Sequence, residues 1–263
     1  MREARSADKQ FPRPSWERFL VTTSVKRVLS VRNLSIVFAG RRVIHNLSFE
    51  VERGESLAII GPNGAGKTVL LRALLNLVPF EGVIQWAEEI RLGYVPQSIA
   101  ADRRLPLHVR DLLGAKAHLM KLPPSAISEA AAIVHLAPEL LDARVGVLSG
   151  GQFQKVLITF ALLGDPSVLL VDEPTASLDE LAQEHIYELL GELQRNRNLT
   201  VLLVSHDLSI VYQFATKVLC LSSAMPCFGP PREILTPETL AAVYSGVPKF
   251  YHHVHDHRSI HHE

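Results

Sequence analysis

A glycine-rich octapeptide carries the clearest chemical signal in the sequence. It fits the phosphate-loop pattern G-x-x-x-x-G-K-[ST] and consists of Gly61, Pro62, Asn63, Gly64, Ala65, Gly66, Lys67 and Thr68. Glycines leave room for backbone N–H groups around phosphate oxygens, and a helix that begins there adds the positive end of its dipole. We therefore expect Lys67 to contact the β- and γ-phosphates of a nucleotide and Thr68 to bind Mg²⁺. The alternative is a glycine-rich turn that binds nothing.

Two adjacent carboxylates follow an apolar run further along the chain. Residues 168–171 are all apolar and lead directly into Asp172 and Glu173. A buried strand ending there would place Asp172 to hold Mg²⁺ and Glu173 to orient or deprotonate the attacking water. Apolar strands that end in acidic residues are common, so this interpretation depends on the phosphate loop upstream.

The pentapeptide Leu148-Ser149-Gly150-Gly151-Gln152 precedes a predicted helix at 152–163. Its serine hydroxyl and glycine N–H groups would form an anion site at the helix start. This pentapeptide is the signature of the ATP-binding-cassette (ABC) ATPases, and the sequence resembles that family. The resemblance implies that the signature of one copy completes the γ-phosphate pocket of a second copy, so that two chains enclose two ATP molecules head to tail.

Four further residues match the family's pattern, and the resemblance covers about residues 28–245. Phe38 matches the aromatic residue that stacks on adenine, and Gln97 matches the glutamine that contacts Mg²⁺ and the attacking water. Asp179 matches a loop that crosses the dimer interface, and His206 matches the switch histidine at the γ-phosphate. Each of these residue types also occurs for structural reasons, for example Phe38 as a core aromatic.

Two positions after the signature depart from the family's pattern. Lys155 and Phe160 stand where the family usually has arginine. Because lysine lacks the bidentate fork of arginine, we expect altered coupling between this helix and the nucleotide. The catalytic set is complete, so we expect a working ATPase.

The hydrophobic pattern predicts the elements that position these residues. Short apolar runs alternate with longer helical patterns, which favours an α/β domain with a largely parallel sheet. Expected strands lie at 28–38, 43–51, 57–60, 168–171 and 200–204. Expected helices lie at 69–77, 109–117, 125–136 and after Thr236, where Pro237 occupies the first position. The resemblance implies a P-loop NTPase fold: a RecA-like core with an antiparallel β subdomain and a helical subdomain inserted at about 98–164.

Composition bounds the class of protein. The chain has 263 residues, of which 47% are apolar, and its 27 Lys and Arg equal its 27 Asp and Glu. A charge balance of this kind disfavours a nucleic-acid partner. Residues 1–27 are expected to be a poorly ordered extension without a secretory signal, and 246–263 a histidine-rich tail. The two cysteines are expected to remain thiols.

The identity of the cargo depends on the resemblance. Residues 90–97 and 105–111, together with the tail, resemble the ATPase subunits of bacterial high-affinity zinc importers, with manganese and iron relatives next. The resemblance thereby implies three things: membrane permease subunits as partners, an extracytoplasmic metal-binding protein as an indirect partner, and a peripheral place on the cytoplasmic face of the cell (inner) membrane.

The tail holds six of the twelve histidines of the chain. His252, His253, His255 and His257 lie close enough in sequence to bind one Zn²⁺, since neutral imidazoles are good zinc ligands. A solvated polar tail is the alternative.

Two other functions remain open. The same ATPase could serve an exporter or an importer of another cargo. It could also be a non-transport ABC ATPase of DNA repair or the ribosome, although the chain lacks the coiled-coil insertions, second cassette and basic excess typical of such proteins.

Overall fold

A computed structural model of the chain describes residues 27–97, 106–176, 178–222 and 226–244. The strands of the described part are β1 (Arg27–Phe38), β2 (Arg41–Glu52), β3 (Ser56–Ile60), β4 (Glu81–Trp86), β5 (Leu92–Val95), β6 (Val168–Asp172), β7 (Thr200–Val204), β8 (Lys217–Cys220) and β9 (Cys227–Gly229). The helices are α1 (Lys67–Leu74), α2 (Val109–Leu119), α3 (Ala126–Ile133), α4 (Gly150–Leu162), α5 (Glu180–Arg197), α6 (Leu208–Phe214), α7 (Pro231–Ile234) and α8 (Pro237–Tyr244).

Two sheets organise these elements. The larger has six strands in the order β5-β6-β7-β3-β8-β9, and only β9 runs antiparallel to its neighbour. The smaller is antiparallel, in the order β2-β1-β4. The predicted α/β fold with a parallel sheet and an antiparallel β subdomain is therefore confirmed.

The three central strands, β3, β6 and β7, are buried at every residue. Alternate side chains of a strand point to opposite faces of its sheet. On one face, Leu170 and Leu202 pack with α1 and the antiparallel sheet. On the other, Leu169 and Leu203 pack with the helical part of the chain. Because helices or a second sheet cover both faces, these strands are continuous apolar runs.

Helices α2, α3 and α4 pack around a shared core with Leu113, Val134 and Ile158. Several helix ends differ from the prediction, and two of them show why. Helix α1 covers Lys67–Leu74 instead of 69–77, and α3 ends at Ile133 instead of 136. In both cases a residue just beyond the helix, Asn76 or His135, takes a positive φ, of 57° and 51°. This left-handed conformation ends a helix.

Helix α8 begins at Pro237, as predicted. Its Leu240 and Val243 pack with Ala58 and Ile60 of β3, so the last described helix supports the strand that leads into the phosphate loop. None of the described helices has the length and apolar character needed to cross a membrane.

The expectation of two free thiols is wrong. Strands β8 and β9 pair antiparallel with Cys220 opposite Cys227, at a Cα–Cα distance of 4.8 Å. This register lies within the separation that a disulfide spans, and the two residues form one.

Candidate nucleotide-binding and catalytic site

The phosphate loop connects β3 to α1, and its backbone requires glycine at two positions. Gly61 has a φ of 149°, and a Cβ atom there would collide with the carbonyl oxygen of Leu221. Gly66 caps α1 with a φ of 95°. Larger side chains rarely adopt such angles, so the sequence G-x-x-x-x-G fixes the shape of the loop.

Lys67 is held inside this loop. Its side chain is 6% exposed, and Nζ donates hydrogen bonds to the carbonyl oxygens of Gly61 (2.9 Å) and Pro62 (3.3 Å). Nζ also lies 3.7 Å from Oε1 of Glu173. The buried ammonium group is thus paired with loop carbonyls and a carboxylate, which are groups that phosphate oxygens can replace.

A cleft of about 500 Å³ opens beside the loop. It brings together predicted residues from separate parts of the chain, and the described residues that line it are Phe38, Val43, Asn63, Gly64, Gly66, Lys67, Thr68, Val69, Gln97 and Glu173. Phe38 is 42% exposed. An exposed aromatic ring at the mouth of a polar cleft is suited to stacking on a flat base.

Asp172 and Thr68 form a pair of oxygen donors. Thr68 Oγ1 donates a hydrogen bond of 3.1 Å to Asp172 Oδ1, and Asp172 is 1% exposed. Burial raises the pKa of the Asp172 carboxyl, while the hydrogen bond from Thr68 opposes that rise. A carboxylate and a hydroxyl side by side fit Mg²⁺, which prefers hard oxygen ligands.

Tyr94 also contacts Asp172, a contact that no sequence motif predicts. Its hydroxyl lies 3.5 Å from Asp172 Oδ2. Burial and the negative charge of Asp172 raise the pKa of Tyr94. The alternation of side chains along β5 could have placed Tyr94 on this face of the sheet, but not beside a particular oxygen.

Glu173 follows β6 in a strained conformation, with a φ of 41°. Its N–H donates to the carbonyl oxygen of Val204 (3.2 Å), and Gln97 Nε2 donates to its Oε2 (2.8 Å). Positive φ at a residue other than glycine is uncommon and tends to occur at functional sites. Gln97 and Lys67 therefore hold the two oxygens of one carboxylate at the edge of the cleft.

His206 is exposed and lies in a hydrogen-bonded turn between β7 and α6. Ser205 Oγ accepts a hydrogen bond from the Asp207 N–H (3.1 Å), and Asp207 caps α6 by accepting from Ser209 and Ile210. His206 is not among the described residues that line the cleft.

The signature residues lie at the start of α4. Ser149 and Gln152 form a capping box: the Gln152 N–H donates to Ser149 Oγ (3.2 Å), and the Ser149 N–H donates to Gln152 Oε1 (3.0 Å). Gly150 and Gly151 complete the first turn. None of these four residues is among the described residues that line the cleft.

Asp179 caps α5, where its Oδ1 accepts a hydrogen bond of 2.9 Å from the N–H of Ala182. Like the signature residues, Asp179 is not among the described residues that line the cleft. Its side chain therefore has a structural use that the sequence pattern did not indicate.

The two positions that depart from the family's pattern contact neighbouring helices. Lys155 Nζ lies 3.5 Å from the carbonyl oxygen of His135. Lys116 of α2 donates to the carbonyl oxygen of Phe160 (2.6 Å) and lies 4.7 Å from the centre of its ring. The positive charge beside Phe160 thus comes from another helix.

The tail histidines His252, His253, His255 and His257 lie outside the described residues. Within the described ranges, no group of three or more His, Cys, Asp or Glu side chains is arranged to hold a metal ion.

Comparison with known proteins gives concordant matches. A family model described as ABC transporter matches residues 44–176. The chain is 36% identical over 235 residues to the zinc import ATP-binding protein ZnuC of Brucella abortus, an alignment that covers 88% of this chain and 78% of that protein.

Solved structures agree with these sequence matches. One, an inward-facing conformation of a transporter assigned to the metal-chelate ABC type, superposes with a TM-score of 0.76 at 30% identity, covering 83% of this chain and 89% of that one. Another, CbiO1 of Clostridium perfringens, a part of the ABC transporter complex CbiONQ, gives 0.71 at 26% identity, with 82% and 93% covered.

Proposed function

The chain belongs to the ABC transporter family as an ATP-hydrolysing, ATP-binding subunit, and on that premise we propose that it drives zinc import through a separate membrane permease. The cleft that joins Phe38, Lys67, Gln97 and Glu173 is the observation that carries ATP hydrolysis in this proposal. In this proposal two copies hydrolyse ATP at a shared head-to-tail interface.

The contacts of Lys67 and Glu173 support a mechanism for the reaction. A bound triphosphate would replace Gly61, Pro62 and Glu173 as partners of the Lys67 ammonium group. Glu173, still held by the Gln97 amide, would then be free to accept a proton from the attacking water. Mg²⁺, bound by Thr68 and Asp172, would neutralise charge on the phosphate oxygens.

The position of the signature supports the two-copy arrangement. Ser149, Gly150, Gly151, Gln152 and Asp179 do not line the cleft of their own chain in the described part. Val147 and Leu181, which neighbour the signature and Asp179 in sequence, are 74% and 63% exposed. In the proposal these two side chains belong to one apolar patch that the second copy covers. In the proposal, His206 contacts the γ-phosphate held by its own copy. The signature of the second copy contacts the same γ-phosphate when the pair closes.

Trapping the closed pair tests this arrangement. Glu173→Gln removes the proton acceptor, so we expect hydrolysis to fall by at least about 100-fold while ATP binding is retained. With ATP and Mg²⁺, size-exclusion chromatography should show a stable dimer of this variant. Adding Ser149→Arg should return it to a monomer, whereas Ser128→Arg, at an exposed serine of α3, should not. A Glu173→Gln chain that stays monomeric with ATP contradicts the proposal.

Zinc as cargo is supported by the zinc import ATP-binding protein of Brucella abortus, to which most of the chain aligns. The proposal includes membrane permease subunits as direct partners, an extracytoplasmic metal-binding protein as an indirect one, and a peripheral position on the cytoplasmic face of the cell (inner) membrane. It also includes Zn²⁺ binding by the histidine-rich tail.

A growth experiment tests the cargo. Deleting the gene should impair growth when zinc is scarce, because the ATPase that drives uptake is missing. Added Zn²⁺ or the wild-type gene should restore growth, and a gene carrying Lys67→Ala should not, because the buried lysine is lost from the phosphate loop. Restoration by Mn²⁺ or iron, with zinc ineffective, would assign the same ATPase to another metal.

A further inference from the structure

The two oxygens of the Asp172 carboxylate each face a hydroxyl group. Thr68 Oγ1 of α1 lies 3.1 Å from Oδ1, and the Tyr94 hydroxyl of β5 lies 3.5 Å from Oδ2. Both hydroxyls can donate, whereas an ionised carboxylate only accepts. The carboxylate is therefore contacted from two separate elements.

The register of the sheet places Tyr94 beside Asp172. Strands β5 and β6 are parallel, with Tyr94 next to Leu170 and Val95 next to Val171. Leu170 and Asp172 are two residues apart in β6, so their side chains point to the same face. Tyr94 is partly buried and packs on that face against the same core as Leu170 and α1.

We propose that Tyr94 is a positioning residue for the magnesium site: its hydroxyl holds Oδ2 of Asp172 and so keeps Oδ1 directed at Thr68. The proposal rests on the function proposed above, in which Thr68 and Asp172 bind Mg²⁺. Partners that orient a ligand commonly change metal affinity by about 10–100-fold when they are removed. At 3.5 Å the contact is long, so the lower end of that range is expected.

The contact also connects the magnesium site to the segment that ends in Gln97. Tyr94 and Gln97 are three residues apart, and they contact the adjacent carboxylates Asp172 and Glu173. One short stretch of chain thus contacts both acidic residues of the site. A tyrosine whose only role is to fill the core would not need its hydroxyl.

Tyr94→Phe separates these two roles, because it keeps the ring and removes the hydroxyl. We expect the full-length variant to bind a non-hydrolysable ATP analogue in EDTA as the wild type does. Calorimetric titrations at increasing free Mg²⁺ should show that about tenfold more Mg²⁺ is needed for half of the Mg²⁺-dependent gain in affinity. At saturating Mg²⁺ the hydrolysis rate of the variant should return to that of the wild type.

Tyr212→Phe is the matched control. The Tyr212 hydroxyl donates to the carbonyl oxygen of Leu235 (2.6 Å), so this variant also loses one tyrosine hydrogen bond, on α6. Its Mg²⁺ dependence should equal that of the wild type. The same Mg²⁺ dependence for Tyr94→Phe as for the wild type, or an equal loss of affinity with and without Mg²⁺, would overturn the role of Tyr94. If the affinity of the wild type for the ATP analogue did not depend on Mg²⁺, this would contradict the magnesium site itself and with it the role of Tyr94.

Discussion

Asp172 illustrates how a functional residue reduces the stability of the chain that carries it. Its side chain is buried, and burial raises the pKa of its carboxyl above the ordinary value. A raised pKa in the folded chain means that the charged form at neutral pH opposes folding. Thr68 and Tyr94 offset this effect only in part, since burial is its largest cause.

We predict that Asp172→Asn stabilises the chain in the absence of nucleotide and Mg²⁺. Asparagine has nearly the same shape and no charge, so the melting temperature in EDTA at neutral pH should rise by about 2–4 °C, as expected for about 1 kcal/mol in a chain of this size. ATP hydrolysis should be lost. Glu188→Gln, at an exposed position of α5, removes one charge from the surface and should leave the melting temperature nearly unchanged. Equal melting temperatures for Asp172→Asn and wild type would contradict the prediction.

Some residues of the site could be predicted because they belong to one continuous sequence motif. Gly61 and Gly66 are required by the backbone of one loop, and Lys67 follows in the same loop. Tyr94 could not be predicted, because its contact with Asp172 joins residues 78 apart in sequence and depends on the pairing of β5 with β6. Lys116 beside Phe160 is a similar case, with a separation of 44 residues.

At the scale of elements, the apolar pattern was sufficient for the central strands. Thr200–Val204 was predicted at the bounds that the structure has, and β6 extends one residue further, to Asp172. A strand that is buried on both faces must be apolar throughout, which leaves an unambiguous pattern. Helix ends were less accurate, because Asn76 and His135 take a left-handed conformation that the periodicity does not contain.

The pairing of Cys220 with Cys227 depends on how two strands pair. The two cysteines are seven positions apart in sequence, and the antiparallel register of β8 and β9 places them opposite each other. Composition alone favoured thiols, since a chain of this size does not need disulfides for its core.

The signature residues have a structural use in addition to the one proposed for them. Ser149 and Gln152 satisfy each other's backbone N–H groups at the start of α4. Removing such a cap reduces helix stability by about 1 kcal/mol. The melting temperature of the Ser149→Arg chain should therefore be measured together with its dimer formation, so that a lost interface is not confused with a weakened helix.

At the scale of the whole molecule, the residues proposed to bind one nucleotide lie in two separate places on the described part of the chain. The cleft holds Lys67 and Glu173, while Ser149 and Asp179 lie outside it. The proposed head-to-tail pair would bring both sets of residues to the same nucleotide. In the proposed pair the cleft of each copy faces the signature of the other, so the contact would be twofold symmetric and would close as a dimer.

The histidine-rich tail provides the remaining test of the zinc proposal. His252, His253, His255 and His257 all lie within six consecutive residues, which allows them to bind one tetrahedral Zn²⁺. Calorimetry should show that the wild-type chain binds Zn²⁺ roughly tenfold or more tightly than a variant with all four changed to asparagine. Changing His261 and His262 instead removes histidines from the same tail and should have a smaller effect. Because protons compete with a metal ion for imidazole nitrogens, the difference should shrink as the pH is lowered. Equal, weak Zn²⁺ binding by the wild type and the fourfold variant would leave the tail as a solvated polar segment.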